Sequence, residues 1–71
     1  MNYIRVRSSN IEAVGYEEDL QTLGVRFQGG GEYHYSGVPQ NVYDGLLSAS
    51  SVGRYFDRYV KKAGYPCRKI R

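Results

Sequence analysis

Between Glu32 and Pro39 the periodicity of this chain changes. Upstream, apolar and polar residues alternate in steps of two, the repeat of a half-buried strand. Downstream, apolar residues recur in steps of three and four, the repeat of an amphipathic helix. The segment Glu32-Tyr33-His34-Tyr35-Ser36-Gly37-Val38-Pro39 therefore supplies a last strand with Tyr33 and Tyr35 on one face, followed by a Val-Pro step that opens a helix. Strands segregated from helices in this way predict an α+β domain: three to four antiparallel strands followed by two helices packed on one face.

The strands are read from their alternation. Asn2 to Arg7 sets Ile4 and Val6 against Arg5 and Arg7, a short edge strand whose charges discourage edge-to-edge pairing. Ser8-Ser9-Asn10 turns the chain. Ile11 to Tyr16 resumes, with Ile11 out of phase with Val14 and Tyr16, so a bulge is expected near Ala13 or Gly15. Glu17-Glu18-Asp19 is a solvated acidic turn; it lacks the ligand spacing of a calcium loop. Thr22 to Gln28 is the clearest strand, with Leu23, Val25 and Phe27 facing in. Gly29-Gly30-Gly31 then forms a hairpin turn. A phosphate loop is excluded there, because a strand follows and no Lys-Ser or Lys-Thr pair is present.

In the helical half, Val42, Tyr43, Leu46 and Leu47 predict a helix to about Ala49, weakened by Gly45. Ser50-Ser51 offers an N-cap for a second helix. Val52, Phe56, Tyr59, Val60 and Ala63 form its apolar stripe; Arg54, Arg58, Lys61 and Lys62 form the opposite one, and Gly64 ends it. Residues 65–71 read as a basic tail or a final edge strand.

Seventy-one residues fit one domain with a thin core. The net charge of +3 conceals an asymmetry: residues 1–53 carry three basic and six acidic side chains, and residues 54–71 carry seven basic and one acidic. Balances of −3 and +6 point the C-terminal part towards an acidic partner. The eight tyrosines, each an apolar ring with a polar tip, suit both a thin core and a wet contact surface. No apolar run follows Arg5 and Arg7, so no signal peptide or membrane span is expected, and a single Cys fits a reducing cytoplasm.

The ordered set Ser8-Ser9-Asn10-Ile11, Val14-Gly15-Tyr16, Leu23-x-Val25-x-Phe27, Tyr33-x-Tyr35, Gly37-Val38-Pro39, Val42-Tyr43, Leu46 and Ser50-x-x-Gly53-x-Tyr55-Phe56 resembles the KTSC domain, from about Val6 to Tyr65. That family is named for the C-terminal extension of some lysyl-tRNA synthetases and also occurs as small stand-alone bacterial and phage proteins. The resemblance implies one KTSC-like domain over residues 1–71, no catalytic residues, and RNA binding by association with a tRNA-handling enzyme. Gly24 and the Gly29–Gly31 turn depart from the usual pattern and are expected to loosen the hairpin.

The residues themselves argue against catalysis. His34 and Cys67 are the only His and Cys, and a thiol nucleophile needs an adjacent base with a third group to orient it. The same scarcity excludes a zinc set, so neither a metal nor a cofactor is expected. His34 reads as a solvent-facing strand residue. The expected function is a non-catalytic binding module, with RNA as first partner and no membrane contact, in a monomer or weak oligomer. Arg54, Arg58, Lys61, Lys62, Arg68, Lys69 and Arg71 would meet phosphates, and Tyr33 and Tyr35 would stack unpaired bases. The plainer alternatives are an ordinary solvated helix face for the cations and packing beneath the helices for the tyrosines. The competing partner is an acidic surface of a host protein, RNA polymerase or a defence enzyme among them, met by a phage- or bacteria-encoded regulator in the host cytoplasm.

Overall fold

The computed structural model describes residues 1–71. Its strands are β1 (Tyr3–Arg5), β2 (Ile11–Glu17), β3 (Thr22–Phe27), β4 (Glu32–Tyr35) and β5 (Cys67–Lys69). They form one antiparallel sheet in the order β1-β2-β3-β4-β5. Helix α1 (Gln40–Ser48) and helix α2 (Val52–Phe56), which runs on as a π-helical turn over Asp57–Lys61, lie between β4 and β5 in the chain. The α+β architecture is as expected, with one strand more than the three to four predicted.

That extra strand is β5, which occupies part of the presumed basic tail. Its three side chains are all exposed. Backbone bonds continue the pairing beyond it: Ser36 N–H donates to Pro66 O at 2.9 Å, Glu32 N–H to Arg71 O at 2.9 Å, and Ile70 N–H to Glu32 O at 2.7 Å. Held through its backbone, with every side chain exposed, β5 carries no apolar alternation in its sequence.

Cross-strand register fixes the faces. Val14 is opposite Val25, Tyr16 opposite Leu23, Leu23 opposite Tyr35 and Val25 opposite Tyr33, so these residues share the face that the helices cover. The core joins Ile11, Val14, Leu23, Val25 and Tyr35 to Val38, Tyr43, Leu46, Val52, Phe56 and Val60. Phe56 sits edge-on to Phe27 at 5.7 Å and to Tyr35 at 5.5 Å, a favoured aromatic arrangement. The bulge lies between Ile11 and Ala13, and it returns the out-of-phase Ile11 to the core side. Gly30 and Gly31 take φ of 102° and 96° at the hairpin tip, a backbone few other residues adopt.

Three apolar assignments change. Ile4 is 51% exposed, because β1 is an edge strand and Ile4 reaches only a shallow groove shared with Val6 and Leu47. In the second helix Val52, Phe56 and Val60 are buried, whereas Tyr59 and Ala63 face water. The Lys62 N–H to Asp57 O bond spans five residues. This wider turn keeps Val60 beneath Phe56 and swings residue 59 off the stripe that pure α-helical spacing predicts.

Candidate nucleic-acid interface

The second helix opens at Ser51, whose Oγ accepts the Arg54 N–H at 3.4 Å. This cap sets the rotation of the helix and turns Arg54, Arg58 and Lys61 outward. Arg54 and Arg58 share a groove with Ser50, Tyr55 and Tyr59. The Tyr55 and Tyr59 rings lie 4.6 Å apart at 41°, and the Arg58 guanidinium sits 5.4 Å from the Tyr59 ring centre, within cation–π range.

Tyr55 owes its position to Gly45. A Cβ at residue 45 would overlap the Tyr55 hydroxyl and fall 2.6 Å from Cζ, so the bare helix surface is the seat of the ring. Burial, with smaller contributions from Tyr59, Asp44 and Tyr65, raises the Tyr55 hydroxyl pKa above its ordinary value. Tyr55 is thereby a fixed, half-buried support, and Tyr59, 44% exposed, is the accessible ring.

The seven predicted cations do not form one cluster. Arg54, Arg58 and Lys61 have no carboxylate within ion-pair distance, whereas Lys62 Nζ lies 3.2 Å from Asp57 Oδ2. Arg68 and Lys69 point to opposite faces of β5, opposite His34 and Tyr33 respectively. Arg71 stays exposed but is ion-paired, its Nε 3.2 Å from Glu32 Oε1. The single outward cluster expected after Gly53 thus reduces to the helix set.

The tyrosine pair is also divided. Tyr35 is 8% exposed and packs on Phe56, so it takes the packing alternative because the helices cover its face. Tyr33 is half-buried at the margin, edge-on to Phe27 at 5.7 Å. The pair presents no open platform.

The uncovered sheet face holds a polar cluster that strand alternation did not reveal. Tyr3 lies across Gly15 and Gly24, and its hydroxyl donates to Glu32 Oε2 at 2.7 Å. Arg26 Nε and Arg71 Nε donate to Glu32 Oε1 at 3.3 and 3.2 Å, and the Arg26 guanidinium covers the Tyr3 ring at 3.9 Å. Glu32 is only 7% exposed. The Tyr3 hydrogen bond is the main cause that lowers its pKa to about 2, against the opposing effect of burial and with help from Arg26 and Arg71. Burial and Glu32 itself push the Tyr3 hydroxyl upward. A carboxylate with both oxygens engaged and a phenol that retains its proton make a clamp across the sheet. His34 is less solvent-facing than expected: half-buried, its Nε2 is 3.4 Å from the Tyr3 hydroxyl.

Cys67 is opposite Tyr35, and His34 is opposite Arg68 one position along, which puts the thiol and the imidazole on opposite faces of the sheet. No group of three or more His, Cys, Asp or Glu side chains converges to hold a metal. No helix is long and apolar enough to cross a membrane.

These features define a small α+β domain: an antiparallel meander with both helices on one face, a polar clamp on the other, and a basic-aromatic groove along α2. The chain belongs to the KTSC domain family, whose sequence pattern it matches over residues 7–65. It is similar to a protein of Tsukamurella paurometabola, 50% identical over 56 residues, covering 79% of this chain and 84% of that one. Its fold matches the crystal structure of a KTSC domain protein from Yersinia pestis with a TM-score of 0.91 at 40% identity, covering 99% of this chain and 97% of that one. It is also similar to the lysine–tRNA ligase of Nostoc punctiforme, 34% identical over 58 residues, which is 82% of this chain but 10% of the ligase.

Proposed function

We propose that this domain is a non-catalytic module that binds single-stranded RNA along α2, with Arg54, Arg58 and Lys61 at phosphates and Tyr59 against a base. The observation that carries this reading is the pairing of two free guanidiniums with an exposed, supported tyrosine in one groove. A solvated helix face needs cations only. Cations interleaved with an accessible ring suit a flexible polyanion with π-faces. The similarity to part of a lysine–tRNA ligase supports RNA over other polyanions.

The test is binding to a mixed single-stranded RNA pool across a salt series. Single-stranded RNA gives a log–log slope of about −0.7 per phosphate neutralised, so three cations predict a slope near ~−2. Replacing Arg54 and Arg58 together by Ala removes about two-thirds of that slope without unfolding the domain, since both side chains are exposed. Absence of binding at low salt removes RNA as partner and leaves an acidic host-protein surface for the same face.

A further inference from the structure

Beside the α2 groove, a second depression of about 590 Å³ opens between the β1–β2 turn and the start of α2. Its walls bring together Arg7, Ser9, Ser50 and Arg54, and Val52 is its one hydrophobic residue. Neither Arg7 nor Arg54 has a carboxylate partner. The one acid on the wall, Asp57, is paired with Lys62 at 3.2 Å.

The frame of this cleft is fixed by its own hydrogen bonds. Ser8 Oγ donates to Asn10 Oδ1 at 2.7 Å and accepts the N–H groups of Asn10 and Ile11 at 3.3 and 3.2 Å. A Cβ on Gly53 would come within 2.9 Å of Asn10 Oδ1, so the turn presses directly on the helix backbone. Ser51 is occupied in capping Arg54. The hydroxyls of Ser9 and Ser50, by contrast, make no hydrogen bond within the protein. Two arginines without carboxylate partners and two serines with unengaged hydroxyls therefore line one cleft that has a single hydrophobic residue. Guanidinium forks and hydroxyls match the tetrahedral oxygens of phosphate.

We infer that this cleft is a phosphate pocket, completed by Arg7, that holds a backbone phosphate of the same RNA strand whose base rests on Tyr59. The inference rests on the RNA reading above and extends it. Ser50 and Arg54 line both depressions, so a strand passes from one to the other without leaving the protein surface. Arg7 is the decisive residue, because it comes from the far side of the cleft and plays no part in the helix face.

The test is a backbone-amide NMR titration with a six-nucleotide oligouridylate, paired with affinities across salt, for the unmodified chain, Arg7→Gln and Arg5→Gln. Arg7 and Arg5 are both exposed, so each substitution removes one charge from a folded protein. The pocket predicts shifts at Ser9, Ser50 and Gly53 together with Tyr55 and Tyr59. It predicts that Arg7 adds a fourth contact, for a slope near ~−2.8, and that Arg7→Gln weakens binding about 3- to 10-fold and returns the slope to about −2.1, while Arg5→Gln changes neither. Shifts confined to the Tyr55–Tyr59 groove, or equal losses from both variants, overturn the pocket and leave RNA binding by α2 in place. No binding of the oligouridylate by the unmodified chain at low salt overturns both.

Discussion

The Tyr3 hydroxyl donates to Glu32 Oε2 at 2.7 Å although β2 and β3 lie between their strands. The bond is possible because the residues beside Tyr3 across the sheet, Gly15 and Gly24, have no side chains. The phenol lies flat over their backbone instead of standing up into solvent. Glu32 also receives Arg71, so one carboxylate ties Tyr3 in β1 and Arg71 beyond β5 to the middle of the sheet. Both of those partners fall outside the stretch, residues 7–65, that matches the family pattern.

This arrangement makes stability sensitive to acid. The Glu32 pKa is lowered to about 2 in the folded protein from an ordinary value of 4.5. As pH falls, the unfolded chain therefore takes up the proton first, and protonation pulls the equilibrium towards it. The stabilisation is fully present above pH 4.5 and is lost as pH falls through about 2. Urea unfolding between pH 7 and 2 should show Glu32→Gln less stable at neutral pH, by about 1–3 kcal/mol for a charged hydrogen-bonded group. The gap should close towards pH 2. A gap constant with pH would mean that the clamp does not depend on the carboxylate charge.

Gly24 was expected to loosen the hairpin; in the structure it is the floor on which Tyr3 and Met1 rest. A Cβ there would lie 2.5 Å from Met1 Sδ and 2.8 Å from Tyr3 Cζ. Gly24→Ala should therefore destabilise the domain by about 1–3 kcal/mol, the range for forced overpacking. The same substitution in a Tyr3→Ala background should be far less damaging, because the ring is gone and only the flexible end of Met1 is left in the way. Additive losses in the double variant would contradict this account.

The reason for Gly24 lies 21 positions away at Tyr3, beyond the reach of periodicity, whereas much else was legible. Leu23, Val25 and Phe27 alternate in sequence and line the covered face in space, because a strand with one dry face has no other option. The switch at Pro39 and the stop at Gly64 were readable for equally local reasons. β5 was ambiguous because backbone pairing with β4 holds it and its side chains carry no pattern. In the candidate site, Arg54 and Arg58 emerged from charge spacing alone. Tyr59 did not, since the π turn moved it from the expected apolar stripe to the surface. Nor does spacing reveal Tyr55, whose role depends on contact with Gly45 of the other helix.

That contact reverses an ordinary expectation for Gly45. Replacing a mid-helix glycine by alanine normally stabilises by about 1 kcal/mol. Here the new methyl group would occupy space held by the Tyr55 ring, so Gly45→Ala should instead destabilise, by about 1–2 kcal/mol. In a Tyr55→Ala background the propensity gain should return and the sign should flip. Chemical denaturation of the four proteins in this cycle measures it, and a stabilising Gly45→Ala in the parent would refute the proposed seat.

The two tyrosines of β4 should differ sharply in cost. Tyr35 is enclosed by the helices, and Tyr35→Ala should remove about 3–5 kcal/mol. A 71-residue domain has a total stability of only ~4–10 kcal/mol, so much of the population should unfold on mild heating. Tyr33→Ala, at the margin, should cost less than half as much and leave RNA affinity unchanged. Circular dichroism melts of both variants test the first point, and loss of RNA binding by a folded Tyr33→Ala protein would overturn the second.

Arg58 and Tyr59 are adjacent and in contact, yet they should fail differently when removed. The cation acts by releasing counterions, so Arg58→Ala should weaken RNA binding and flatten its salt slope by about 0.7. The ring acts through stacking, which involves no ion release. Tyr59→Ala should therefore reduce affinity by about 1–3 kcal/mol per stacked base while keeping the slope of the parent. Tyr59→Phe should retain nearly all the affinity, since the ring face is unchanged, and this separates stacking from any role of the hydroxyl. Binding isotherms at four or more salt concentrations give slope and intercept independently for each variant. A slope that falls for Tyr59→Ala as it does for Arg58→Ala would mean that the tyrosine merely positions the arginine, and the groove would then read phosphates without touching a base.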